Sequence, residues 1–505
     1  MIKRISTQLI FAILGLASFG ILACSSDSGS TPDVKPTVKT LKVNVSSIDF
    51  ITAGSSSDIT VTTNVDAWTI SSSDSSWIQL SRTSGTSGST SVSVTAAANT
   101  ATTARSATIT FSSSQVASVI ITVNQAAFVP PVANSYPSYN TNPIAADATG
   151  MSSSAVQLAA KIKLGWNIGN TLEATGGETA WGNPKVTKAL IDLVKANGFN
   201  AIRIPCSWNQ NMANSSTAQI KAEWLTRVKE VVQYCVDNDM YVLVNIHWDG
   251  GWLENNCTNA KKVENNAKQK AFWEQIATSL RDFDEHLLFA SANEPNVDDA
   301  TQMDVLNSYH QTFIDAVRAT GGKNANRTLV VQGPSTDIDK TNKLMLTLPV
   351  DNVANRMMVE VHYYTPWNFC GMEKDETWGK MFYYWGANYH STTDTSRNAT
   401  WGEEADLDKL FKSMKTQFVD KGIPVVLGEF GAIKRTNLTG SDLTLHLDSR
   451  AFFLKYVVKQ AKANGLLPFY WDAGGMGNNG SAIFNRTNNT IFDNQALTGL
   501  LDGLK

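Results

Sequence analysis

Acid–base side chains are missing from the first third of this chain. No glutamate precedes Glu173 and no histidine precedes His247 in a sequence of 505 residues. Lysine is absent from Val43 to Ala160. Chemistry that moves protons through Glu or His therefore belongs to the later two-thirds. Charge is scarce as well. Asp, Glu, Lys and Arg make up 17% of the chain, against roughly 25% in ordinary domains, and the net charge is −3. A near-neutral chain argues against a nucleic-acid partner. Cysteine is limited to Cys24, Cys206, Cys235, Cys257 and Cys370, at spacings that match no zinc site. The last four allow three disulfide pairings, which sequence cannot choose between. Cys235 shares an apolar helix face with Leu225, Val228 and Val232, so a buried thiol is expected there. Of 14 tryptophans, only Trp68 and Trp77 precede residue 160.

The N-terminus reads as an address. Lys3 and Arg4 precede an apolar run from Leu9 to Ala23, too short to span a bilayer comfortably. The run ends Ile21-Leu22-Ala23-Cys24, which resembles a bacterial lipobox. That resemblance implies a signal over 1–23 and lipidation of Cys24; an ordinary signal peptide cut nearby is the other reading. Lipidation would hold an exported protein at the cell surface or in the periplasm without a transmembrane helix. Residues 24–39, rich in Ser, Pro and Thr, then form a flexible stalk.

From 40 to 128 the composition turns to Ser, Thr and Val. Period-two alternation runs through Leu41–Val45, Asp58–Thr62, Ser91–Val94, Ala107–Phe111 and Val119–Val123, with Ser/Gly turns between. This pattern predicts a small antiparallel sandwich. Trp68 and Trp77, Asn99 ahead of Arg105, and the closing Val123-Asn124-Gln125 resemble a BACON-type domain. Core packing of both tryptophans and a spacer role are expected. Residues 129–150, rich in Pro, Ser and Asn, read as a linker.

Between 151 and 505, eight strand-like runs alternate with helical patterns. The runs are Ile162–Trp166, Ala201–Ile204, Tyr241–Ile246, Leu287–Ala292, Thr328–Gln332, Met357–Val361, Pro424–Leu427 and Leu467–Trp471. The expected fold is an α/β (β/α)8 TIM barrel. A doubly wound sheet is the weaker alternative, because no glycine-rich phosphate loop follows the first run. Barrel chemistry sits at the C-terminal ends of strands. There the sequence puts Arg203, His247, Asn293-Glu294, His362-Tyr363-Tyr364, Glu429 and Trp471, from six different strands. Two carboxyls facing each other across a cleft are what glycosidic-bond cleavage needs, one protonated and one ionised.

Asn293-Glu294-Pro295 with Gly428-Glu429-Phe430 resembles clan A of the retaining glycoside hydrolases. Arg203-Ile-Pro, His247, His362-x-Tyr364 and Trp471 resemble glycoside hydrolase family 5. The opening Gly165–Glu173, Thr179–Pro184, Tyr363–Pro366 and Arg486 resemble its subfamily 4. Trp248 departs from the second histidine that many members carry. The resemblance implies that Glu294 is the general acid/base and Glu429 the nucleophile. It implies that Arg203 and Tyr364 orient Glu429, that Asn293 binds a sugar hydroxyl, and that His247 and His362 position the substrate. Trp471 would be the stacking floor, and Asn170 in the opening motif a further sugar ligand. Trp252, after Gly250-Gly251, is expected on an exposed loop as a distal sugar platform. A monomeric endo-β-1,4-glucanase without cofactor or metal is implied, acting on xyloglucan, mixed-linkage glucan or cellulose. A β-mannanase or xylanase of the same clan, or a non-catalytic glycan-binding protein, are the alternatives.

Overall fold

The computed structural model describes residues 38–128 and 136–505. Cys24, the signal segment and most of the stalk lie outside the described residues. The chain divides into two compact units, with the boundary between Pro130 and Pro131.

The first unit is all-β. Its strands are β1 (Leu41–Val43), β2 (Ser47–Phe50), β3 (Ser55–Ser72), β4 (Ile78–Leu80), β5 (Ser84–Ala96), β6 (Arg105–Ser113) and β7 (Val116–Gln125). They hydrogen-bond in the order β2-β7-β6-β3-β5-β4, with β1 on β3. Every pairing is antiparallel except β2 with β7. Alternation sends Ile59, Val61, Trp68, Val92, Val94, Ile109, Phe111 and Val123 into one core. Trp68 and Trp77 are both buried there, as expected.

The second unit closes eight parallel strands into a barrel. In order they are Gly165–Ile168, Ala201–Ile204, Tyr241–Asn245, Leu287–Ala290, Leu329–Gln332, Met357–Tyr363, Val425–Phe430 and Leu466–Asp472. All eight expected strands form, with no end shifted by more than three residues. The helix that follows the first barrel strand runs Lys188–Ala196. The Thr187 side chain accepts the Leu190 N–H and caps it there.

Period two divides each barrel strand between two cores. Ile202, Val242, Val244, Phe289, Val331, Val359 and Leu427 face the helices. Ala201, Leu243, Leu288, Val330, Met358, Val426 and Leu467 join a separate cluster with Ala155, Leu158 and Ile162. Helix α1 (Ala155–Lys161) thus closes the N-terminal end of the barrel. Its Ser154–Gln157 capping box fixes where it starts. The next inward positions toward the other end are polar: Asn167, Arg203, Asn245, Gln332 and Glu360, all buried. The barrel interior is therefore apolar below and ionic above.

The expected 129–150 linker is too long at its C-terminal end. Ser138 Oγ and the Tyr139 N–H donate to the buried Glu274 carboxylate at 3.1 and 2.6 Å. Ile144–Ala146 pairs with Gly321–Gly322. Polar composition suggested a free segment, but its backbone donors find a buried acceptor on the barrel.

Leu158 is 1% exposed, in the apolar cluster at the N-terminal end of the barrel. Leu158→Ala should cost about 2–5 kcal/mol in chemical denaturation, with any activity of the opposite end of the barrel unchanged per folded molecule.

Candidate active site

Arg203 is the buried centre of the polar layer, with no exposed surface. Its Nε lies 2.9 Å from Glu360. Its Nη1 donates to Glu429 at 2.7 Å and to Asn167 at 3.0 Å. Its Nη2 donates to Asn293 Oδ1 at 2.7 Å. The rigid fork of a guanidinium suits several acceptors at once. Because Arg203 takes the Asn293 oxygen, the Asn293 NH2 is left as a donor. Tyr364 adds a hydrogen bond to the other Glu429 oxygen at 3.0 Å. Burial and the Glu429 charge push the Tyr364 phenol well up, so it stays a donor.

His362 is brought opposite Glu429 by a register shift after Val361, which skips Gly428. Its Nδ1 lies 2.7 Å from Glu294 and 3.8 Å from Glu429, and its Nε2 3.2 Å from Glu360. Burial opposes a charge there, but Glu429, Glu294 and Glu360 outweigh it and raise His362 to about 10. One oxygen of Glu294, one of Glu429 and a His362 nitrogen all lie within 4.8 Å of one another. Sequence reading anticipated no such carboxylate–histidine grouping. Its acceptors are already committed, however: Arg203 and Tyr364 hold Glu429, and both His362 nitrogens face carboxylates.

The two glutamates differ in setting. The Glu429 side chain is 7% exposed and that of Glu294 is 44%. Burial raises Glu429 above its ordinary value, against the opposing charges of His362 and Arg203. Burial also opposes charge on Glu294. The His362 hydrogen bond and the His362 and Arg203 charges win there and hold it below the ordinary range. The proton in the 2.7 Å Glu294–His362 contact therefore rests on His362.

His247 is held well down by burial and by the Arg203 and His362 charges, so it is neutral. Its ring stacks on Trp471, 5.8 Å between centroids and 9° between planes. Asn170 sits at a left-handed φ of 59°. Its N–H is taken by Glu173 and its carbonyl by Asn183, 2.9 Å away.

Trp252 is not on an exposed loop. It is 8% exposed and packs edge-on against Phe272 at 5.6 Å. Gly250 and Gly251, at φ 79° and 71°, fold the chain back and tuck the ring inside. The exposed tryptophans are Trp181, Trp248, Trp367, Trp378 and Trp401, all on loops that follow barrel strands one, three and six. Phe369, Phe382, Tyr384 and Trp385, on the segment after barrel strand six, are core.

Sequence reasoning missed Glu360, Asn167 and Gln332. Gln332 donates to Glu360 at 2.6 Å and Asn167 to the Gly428 carbonyl at 2.9 Å. The available signal was a charged residue inside an apolar strand, Val359-Glu360-Val361. Gly428 is part of the same arrangement, since a β-carbon there would collide with Glu360 Oε1.

Comparison with known proteins agrees with this geometry. Residues 167–477 match the model for cellulase (glycosyl hydrolase family 5), and residues 66–126 match BACON, described as a putative N-terminal binding domain. A xyloglucan-specific endo-β-1,4-glucanase of Bacteroides ovatus is 36% identical over 100% of this chain and 97% of its own. A solved Bacteroides ovatus GH5 xyloglucanase in complex with a XXXG heptasaccharide is 35% identical. It covers 92% of this chain and 100% of its own, with a TM-score of 0.67. A GH5-4 broad-specificity endoglucanase from Bacteroides salanitronis is 34% identical over 70% of this chain and 96% of its own, with a TM-score of 0.63. With a family match across the barrel and relatives that span the chain, this protein belongs to glycosyl hydrolase family 5.

Proposed function

We propose that this chain is an exported, retaining endo-β-1,4-glucanase with xyloglucan as its preferred substrate. The observation that carries the retaining reading is the approach of Glu294 and Glu429 oxygens to within 4.8 Å. Retaining pairs stand about 5–5.5 Å apart, and inverting pairs about 6.5–9.5 Å.

A Glu429 oxygen attacks the anomeric carbon while the glycosidic C–O bond breaks. Glu294 gives its proton to the leaving oxygen. Glu294, now a carboxylate, takes a proton from water, and that water displaces Glu429 from the sugar. Arg203 and Tyr364 keep Glu429 ionised and aimed. The Asn293 NH2 meets the sugar 2-hydroxyl, and Trp471 carries the ring face. The proton's source follows from charge. Glu294, Glu360 and Glu429 oppose the cations Arg203 and His362, so the cluster is one positive charge short of neutral. Substrate that strips water from half-exposed Glu294 disfavours its charged form and draws the His362 proton across the 2.7 Å contact.

Xyloglucan is favoured because the xyloglucan-specific relative matches this chain from end to end. Five exposed tryptophans on the loops at the catalytic end suit a wide, decorated chain. Broad β-glucan specificity is the second reading, supported by the Bacteroides salanitronis likeness. Export rests on the charged and apolar N-terminus and on Ala23-Cys24, with the sandwich as a spacer. Among the described residues, no helix is long and apolar enough to cross a membrane.

Product sizing on xyloglucan, barley-type β-glucan, carboxymethylcellulose, mannan and xylan should give highest kcat/KM on xyloglucan with oligosaccharide products. Equal rates on unbranched glucans would favour the second reading, and mannan or xylan as the best substrate would reject both. Glu429→Ala should abolish turnover, and azide should restore it as an α-glycosyl azide; unimpaired hydrolysis would sink the nucleophile assignment. Trp252→Ala should lose about 3–5 kcal/mol of stability. Trp248→Ala should leave Tm in place and raise KM roughly two- to tenfold. Cells fed labelled palmitate should label the wild type and not Cys24→Ala.

A further inference from the structure

Beyond Glu360, Glu254 is a further carboxyl near the catalytic pair, and no step above uses it. It opens a short turn, Glu254–Asn256, after barrel strand three, and it is 4% exposed. Its Oε1 accepts the backbone N–H of Glu294 at 2.7 Å. Its own carbonyl accepts the Asn296 N–H at 2.9 Å, and Asn255 Oδ1 accepts from the Asn296 side chain at 2.5 Å. The turn therefore grips both sides of Glu294-Pro295. Trp252 anchors it from behind: its ring packs on Phe272, and its carbonyl accepts from the buried Asn265 at 3.0 Å. A carboxylate buried at this depth needs compensation, and the Glu294 N–H supplies the main direct contact.

We propose that Glu254 is a positioning residue for Glu294, holding its backbone through a carboxylate and favouring, through negative charge, transfer of the His362 proton to its side chain. This rests on Glu294 being the general acid. The charged and polar groups that face Glu254 are Glu294 and Asn293 after barrel strand four, Glu429 on strand seven, and Cys257 beside its own turn. Burial, with the Glu294 and Glu429 charges, pushes Glu254 up to about 7, against the Glu294 N–H and the Asn293 side chain. Above that pH Glu254 is an anion. A nearby anion raises the affinity of Glu294 for a proton, so the Glu294–His362 pair keeps its shared proton further into alkaline conditions.

The test compares wild type, Glu254→Gln and Glu254→Leu, with Glu294→Ala as reference. Glutamine keeps the oxygen that accepts the Glu294 N–H and removes the charge. Glu254→Gln should unfold within a few degrees of wild type. Its kcat/KM on soluble glucan should fall about tenfold, and its alkaline limb should move about one pH unit toward acid. With 2,4-dinitrophenyl β-cellobioside, whose leaving group needs no proton, kcat/KM should be unchanged. Glu254→Leu, if it folds, should show the same substrate split more strongly. A Gln profile that superimposes on wild type, or equal losses on both substrates, would overturn the proposal. If Glu294→Ala lost both activities alike, the general-acid reading would fail first and this inference with it.

Discussion

A single buried cation organises the catalytic end of this barrel. Taking Arg203 out of water costs on the order of several kcal/mol, and the barrel offsets that by surrounding the guanidinium with acceptors. Glu360 lies on one edge, Glu429 on another, and Asn167 and Asn293 fill the remaining directions. Each comes from a different strand or strand end. Their convergence fixes the relative register of strands one, two, four, six and seven. A one-residue slip would turn Arg203 outward among the helix-packing residues Ile202 and Ile204. It would leave buried Glu360 with His362 alone as counter-charge. The same constraint reaches Gly428, whose missing side chain makes room for Glu360.

Chemistry follows from how unevenly that centre is shared. Glu429 is tied on both oxygens and nearly dry, so it is a rigid carboxylate with one direction of attack. Glu294 is held through its backbone and through His362, with almost half of its side chain open to solvent. Excluding water would alter little around nearly dry Glu429 and much around half-exposed Glu294. A nucleophile benefits from the first condition and an acid that must load and unload a proton from the second. His362, in contact with all three carboxylates, is the group through which a change at one reaches the others.

The barrel was legible because its strands are apolar runs of the right length, each ending in a polar residue. That pattern located Arg203, Glu294, His362 and Glu429 directly. The layer beneath them was not. Glu360 sits mid-strand, where its meaning depends on Arg203, a partner on a non-adjacent strand, and no local period reveals that pairing. Trp252 failed for a different reason. Two glycines read as an exposed loop, but their positive φ angles reverse the chain and bury the ring. The linker failed because composition cannot show a distant acceptor, here Glu274.

The early scarcity of Glu and His acquires its counterpart in the tryptophans. Trp68 and Trp77, the two in the sandwich, are spent on its core. Five barrel tryptophans remain between 46% and 62% exposed. Leaving about half of a large aromatic in water forgoes roughly half of the ~1.5–3 kcal/mol that full burial would contribute. Folding alone gives no reason to forgo that five times on the loops of one barrel face. A neutral polysaccharide does: its C–H faces cover the rings on binding, and its lack of charge matches a chain that carries little of its own.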